Sequence, residues 1–221
     1  CVMNLGESRA EYRRLMFDEA APHLWSDSEV DSYFREAENE AAVRAKLIQD
    51  ETTPDVCEIA VVAGTHTYAL HPSICGIYRV KLDGEPQPMA RKSRDELDTE
   101  YPGWEGQHGK PQIFLEPNDI RNIRLFPTPV NDGVVRLVVW RLPISPMTAD
   151  TDTPEIHQQY HYRLIDWARR CGYLKQDTET YDPAAAQRFE LSFEASFGVR
   201  PDANVRRKRR ENRSRVVRYA E

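Results

Sequence analysis

The chain has little glycine and no way to build a phosphate cradle from it. Its ten glycines are spread over 221 residues, none grouped as G-x-G-x-x-G or placed ahead of Lys-Ser/Thr, so no nucleotide-binding loop is encoded. G-x-S-x-G is missing as well, which removes the nucleophile elbow of the hydrolases. The four cysteines, Cys1, Cys57, Cys75 and Cys171, form no C-x-x-C and have no closely spaced histidine. We expect reduced packing residues in a cytosolically made protein. No apolar run approaches the roughly 18–20 residues that a bilayer span needs, and no basic-then-apolar leader opens the chain, so a soluble protein is expected. The chain opens on Cys1 rather than methionine, so a few residues are expected to precede it.

Candidate catalytic groups are equally thin. His157 and His161 stand one helical turn apart, the spacing of metal ligands, but Gln158 occupies the place where a zinc protease needs its glutamate base. Two polar positions on a helix surface fit better. Asp150 with Asp152, and Glu116 with Asp119, are the plainest carboxylate pairs, and both fall in turn or cap contexts that give the side chain a structural role. No catalytic residue, metal or cofactor is expected from these patterns. A wall-degrading enzyme using paired carboxylates stays open as an alternative. Tyr101, Trp104, Phe114, Phe126 and Trp140 could form a base-stacking surface, but aromatics on or beside strands more often fill a core.

What the chain does have is charge, divided unevenly. From Arg200 onward there are nine Lys/Arg against three acids, a net of +6, and the remaining 21 basic and 33 acidic residues give −12. The basic end reads NVRRKRRENRSRVVRY over 204–219, on a protein with a pI of 5.6. Three readings compete: a solvated extension, a nucleic-acid-binding arm whose cations release counterions from phosphates, and a segment that docks on an acidic protein surface. The candidate docking residues are Arg206, Arg207, Lys208, Arg209, Arg210, Arg213, Arg215, Val216, Val217, Arg218 and Tyr219. A tail meant only for phosphates has no need of the apolar Val216, Val217 and Tyr219, which suit a protein groove or sheet edge.

The periodicity predicts helices at both ends and strands between them. A first helix is expected over Glu7–Ala20. A second opens at Trp25-Ser26-Asp27-Ser28-Glu29-Val30, a capping box with a Trp25–Val30 staple, and runs to about Gln49 with Val30, Tyr33, Phe34, Ala37, Ala41, Ala45 and Ile48 on its buried stripe. About six short strands follow between 55 and 143: 56–62, 67–70, 74–82, 112–115, 122–126 and 134–142, with a short helix opened by Ser93-x-x-Glu96. Thr153-Pro154 predicts a helix through Lys175, and Asp182-Pro183 another ending at Gly198. The fold class is therefore α+β. We expect a discontinuous helical bundle over 1–52 and 150–198, an inserted small antiparallel β-sandwich or barrel over 53–149, and an extended tail over 199–221.

The order of these motifs resembles the bacteriophage head–tail connector (adaptor) proteins, which sit below the portal in tailed phages. The residues that carry the likeness are Leu24-Trp25-Ser26-Asp27-Ser28-Glu29-Val30, Tyr68-Ala69-Leu70, Ile77 to Gly84, Arg124-Leu125-Phe126-Pro127-Thr128-Pro129 with Gly133, Pro154-Glu155-Ile156, and Tyr160-His161. The resemblance implies a virion structural protein and not an enzyme. It implies a homo-oligomeric ring, usually of twelve copies, that extends the DNA channel at the head–tail interface. Its partners would be the portal protein, further copies of itself, a downstream tail or nozzle protein, and genomic DNA passing without sequence-specific contact. In related short-tailed phages the C-terminal extension grips the portal, and here that role falls on Arg206 to Tyr219. An acidic channel wall would let DNA slide.

Overall fold

The computed structural model describes residues 2–115, 121–176 and 179–202. The chain is mixed α and β, and divides into one unit made of Cys1–Ile48 with Arg141–Arg200 and another made of Gln49–Trp140 with, among the described residues, Pro201 and Asp202.

In the first unit, α1 spans Leu5–Met16, earlier than the sequence suggests, because Asn4 is its cap. The Asn4 side chain accepts the Glu7 N–H at 2.8 Å, and the Glu7 carboxylate accepts the Asn4 N–H at 3.0 Å. Helix α2 spans Asp27–Ala45 and starts at the expected capping box of Ser26 and Glu29. It stops at Ala45, short of Gln49, because Lys46 turns left-handed, yet Ile48 still reaches the core. Trp25 and Val30 are fully buried in that same core.

The helix expected from Thr153-Pro154 does not begin there. A 3-10 stretch, Gln158–Arg163, leads into the α-helix Leu164–Tyr173, which in chain order is α5. Residues 153–157 are held by other elements: the Glu155 N–H goes to Glu38 on α2 at 2.6 Å, and the Glu155 carboxylate takes the Ile144 and Ser145 N–H groups at 3.0 and 2.8 Å. Backbone already engaged in this way has no need of a helical turn. Helix α6, Pro183–Phe197, follows the sequence reading closely: Asp182 caps the Ala184 and Ala185 N–H groups, and Gly198 ends it at φ 83.

Alanines at Ala37 and Ala41, both fully buried, let α5 pack closely on α2. Gly172 on α5 is needed for an equally close approach. A β-carbon there would overlap the buried Tyr12 hydroxyl and lie 3.2 Å from Met16 Cε. Gly172→Ala is expected to lose about 1–3 kcal/mol, the range for forcing a methyl group into a filled core, as read by urea unfolding.

Among its described residues the second unit contains two further helices, α3 (Pro54–Cys57) and α4 (Arg94–Glu100), and ten strands. The strands are β1 (Gln49–Asp50), β2 (Glu58–Val61), β3 (Thr67–Ala69), β4 (Ile74–Leu82), β5 (Ala90–Arg91), β6 (His108–Gly109), β7 (Ile113–Leu115), β8 (Asn122–Phe126), β9 (Thr128–Pro129) and β10 (Gly133–Arg141). The strand expected to start at Val56 is preceded by α3, because the Asp50 carboxylate accepts the Thr52 and Thr53 N–H groups and Pro54 takes the first helical position. In one sheet β10 pairs antiparallel with β2, with Gly133 opposite Val61, and with β1, with Gln49 opposite Trp140; β4 also pairs with β10. The second sheet has the order β3-β8-β7-β5, and β6 pairs with β9 in a third.

The sheets are not wholly antiparallel, as the sequence had suggested: β5–β7 and β6–β9 are parallel. For β5 and β7 the reason is the α4 crossover between them, long enough to bring the chain back in the same direction. Val61, Ile77, Val135, Leu137 and Val139 from the first sheet share a core with Phe114, Ile123 and Leu125 from the second. Leu97 of α4 and Trp104 cover Ile113, Leu115 and Phe126 on that sheet's other face. This double coverage is why β7 is buried throughout. Trp104, Phe114 and Phe126 are core residues, as strand context favoured, while Tyr101 and Trp140 keep partial exposure.

Candidate assembly interface

The eleven candidate docking residues, Arg206 to Tyr219, lie outside the described residues, as do Glu116 and Asp119. The last described stretch is tied to α2. Arg200 bridges Glu40 at 3.2 Å, and Glu40 also pairs with Arg44 at 3.1 Å. The Arg44 side chain is 2% exposed. It lies over the Trp167 and Phe193 rings, 4.9 and 5.1 Å from their centroids, and donates to Glu190 on α6 at 2.8 Å. Glu190 takes Arg170 of α5 as well. The helices therefore meet around a buried cation wrapped in carboxylates, and Arg200 extends that pairing to the surface. Sequence reading missed this cluster because Arg44 and Glu190 are 146 positions apart, and a lone arginine on an alanine-rich helix looks like a solvated charge.

A second feature stands at the C-terminal end of α1. Phe17 is 95% exposed and adopts a left-handed backbone, φ 57, while its N–H closes the helix on the Arg13 carbonyl. Glycine is the residue suited to that position, and an L side chain there costs about 1–2 kcal/mol. The turn beyond it is rigidly held. Arg13, itself buried, pairs with the buried Asp18 at 2.5 Å, with Asp27 at 2.6 Å, and with the Trp25 carbonyl at 2.9 Å. Asp18 also accepts the Leu24 N–H at 2.7 Å. A strained, fully exposed phenylalanine thus stands on a pedestal of buried ion pairs.

The segment after β10 is pinned by carboxylates. Burial pushes the Glu38 carboxyl up to about 7, against the opposing pull of the Glu155 and Ile156 N–H groups. A folded chain that holds this proton while the unfolded chain has released it loses stability as pH rises from about 4.5 to 7. Urea unfolding of the wild type should fall by on the order of 2 kcal/mol across that window, and Glu38→Gln should flatten the slope whatever its effect on the absolute level.

Asp152 accepts the Ala149 and Thr148 N–H groups, which hold its carboxyl below the ordinary range, and Asp150 bridges Arg9 at 3.0 Å. Asp152 thus serves the turn, and Asp150 ties it to α1. His161 is not the surface position expected of it: it is buried, with Nδ1 at the Met3 backbone and Nε2 at the Ile156 carbonyl, 2.9 Å away. His157 caps the 3-10 stretch instead. Among the described residues no three His, Cys, Asp or Glu side chains are grouped to hold a metal, and no helix is long and apolar enough to cross a membrane.

The β unit carries a groove of about 460 Å³ beside β5. Pro86, Pro88, Met89 and Tyr101 line it together with Lys92 and the Glu85–Lys110 ion pair, 2.5 Å.

Among the described residues, Arg13 and Arg44 centre buried ion-pair clusters, and Asp152, Glu155 and Asp182 hold turns and a helix cap. The SU10 adaptor protein family matches residues 3–218, nearly the whole chain, and the chain belongs to this family of phage head–tail adaptors. The curated proteins contain no match. Family membership makes it a virion adaptor, a structural role.

Proposed function

We propose that copies of this chain assemble as a ring below the portal, extend the DNA channel and link head to tail, with Arg206 to Tyr219 docking on the portal. The observation that carries this reading is the extent of the family match, which runs to residue 218 and so takes in the basic segment along with both folded units. Charge is in keeping with it: the net +6 from Arg200 onward is opposite in sign to the −12 of the rest of the chain, so this end is the part suited to an acidic partner surface. Val216, Val217 and Tyr219 would fix register where the arginines supply attraction. A downstream tail protein would bind the opposite rim, and genomic DNA would pass along an acidic wall without specific contact. Electron microscopy of the intact particle tests this: density for the chain is expected as a ring directly under the portal, and its absence from that position would overturn the assignment.

A second reading rests on the same basic segment, which could grip DNA. It requires the isolated protein to bind duplex DNA with an affinity that falls steeply with salt, and to lose that binding, while keeping portal association, when residues 203–221 are removed.

A further inference from the structure

The chain leaves the β unit at Trp140 and returns to the helical unit at Arg141. A buried carboxyl holds the stretch that follows. Glu38 on α2 is 2% exposed. Its Oε1 accepts the Glu155 N–H at 2.6 Å, and the carboxyl also takes the Ile156 N–H. Glu155 carries the grip back along the chain: its carboxylate accepts the Ile144 and Ser145 N–H groups at 3.0 and 2.8 Å and pairs with the Arg141 guanidinium at 2.6 Å. We propose that Glu38 is a proton-operated clasp on this return segment, gripping residues 144–145 and 155–156 while its carboxyl holds a proton and loosening them when it ionises.

The surroundings of Glu38 favour the proton. Among the described residues no cation offsets its charge, because the basic groups around it are engaged elsewhere. Arg35, on the same helix, donates to the Met147 carbonyl at 3.1 Å, and Arg141 is taken by Glu155. On the far side of Ile156, His161 Nε2 lies 2.9 Å from the Ile156 carbonyl. A carbonyl only accepts, so that nitrogen carries its proton in either charge state of the ring. The Glu155 carboxylate repels a negative charge on Glu38. Two N–H donors offset the buried charge only in part, and the carboxyl is pushed up to about 7 by burial.

Ionisation of such a group is relieved by any opening that lets water reach it. Here the opening can be local, because residues 142–157 form neither α-helix nor strand and are held largely through side chains. Separating Glu155 from Glu38 also disturbs the carboxylate that holds Ile144 and Ser145, so the two ends of the grip are coupled through one residue. The turn between them is tied to α1 instead, through the Leu5 and Gly6 N–H groups on the Asp152 and Asp150 carbonyls. The clasp belongs to the helical unit alone and does not rest on the ring or portal readings.

The test is amide hydrogen exchange of the full chain, read residue by residue by NMR and expressed as protection factors, which remove the intrinsic pH dependence of exchange. Between about pH 5 and about pH 8 the protection of the Glu155 and Ile156 amides is expected to fall by at least about tenfold, with Ile144 and Ser145 following. At both pH values it should lie below that of Phe193, whose amide in the core of α6 reports global unfolding. Glu38→Gln should abolish the fall. Glu155→Gln removes the repelling carboxylate, so it should move the midpoint of the fall to lower pH, and it serves as the test if Glu38→Gln does not fold. No fall in the wild type, an unchanged fall in both variants, or Glu155 and Ile156 amides as protected as Phe193 overturns the clasp.

Discussion

Arg13→Ala is expected to destabilise the helical unit by about 3–5 kcal/mol, the range for removing one partner of a buried ion pair. Asp18 is 7% exposed, and Arg13 is its principal counter-charge at 2.5 Å. The same guanidinium reaches Asp27 in the first turn of α2 and the Trp25 carbonyl just before it. One side chain therefore fastens the end of α1, the turn from Phe17 to Ser26, and the start of α2. Truncating it strands a carboxylate in a packed site and unties the turn at once. Urea unfolding measures the loss, and Arg13→Ala combined with Asp18→Asn should recover part of it, because the stranded charge is gone. A loss below about 1 kcal/mol, the scale of an exposed pair, would mean that the turn is held by its apolar contacts and not by the pair.

The elements legible in the sequence were those written in local chemistry. Ser26-x-x-Glu29 and Ser93-x-x-Glu96 are capping boxes whose reciprocal bonds involve residues three apart, and α2 and α4 begin where they say. Asp182-Pro183 and Gly198 bracket α6 for the same reason. The strands β4 and β8 fall on their expected residues, β4 closed by Asp83-Gly84 and β8 followed by Pro127.

What failed was set by distant partners. Thr153-Pro154 has the local form of a helix start, but Glu38, 117 positions away, takes the Glu155 N–H. The parallel pairing of β5 with β7 depends on the α4 crossover, which no alternation pattern encodes. His161 looked exposed because a two-histidine helical spacing says nothing of what covers it, and its ring is buried against Met3 and Ile156. The basic end is plain in composition, whereas the exposure of Phe17 was hidden because the expected first helix, Glu7–Ala20, ran past it, and α1 in fact ends at Met16 with Phe17 as its left-handed cap.

The second large effect concerns that basic end. Residues 203–221 hold eight Lys/Arg and two acids, and at roughly 3.3–3.6 Å per residue they can reach on the order of 60 Å when extended. They follow Arg200, whose bridge to Glu40 fixes their origin on the helical unit. Removing them while leaving Arg200 in place spares both folded units, so the melting temperature should be unchanged. If these residues dock on the portal, the loss of several charge-assisted contacts and of the Val216, Val217 and Tyr219 anchor should weaken binding by roughly 100-fold or more, about 3 kcal/mol. The most direct measurement is the affinity of the purified portal for the full chain and for the chain lacking 203–221, at one salt concentration. A drop of about 100-fold at unchanged stability is the predicted result, and equal affinity for the two chains would contradict the docking role.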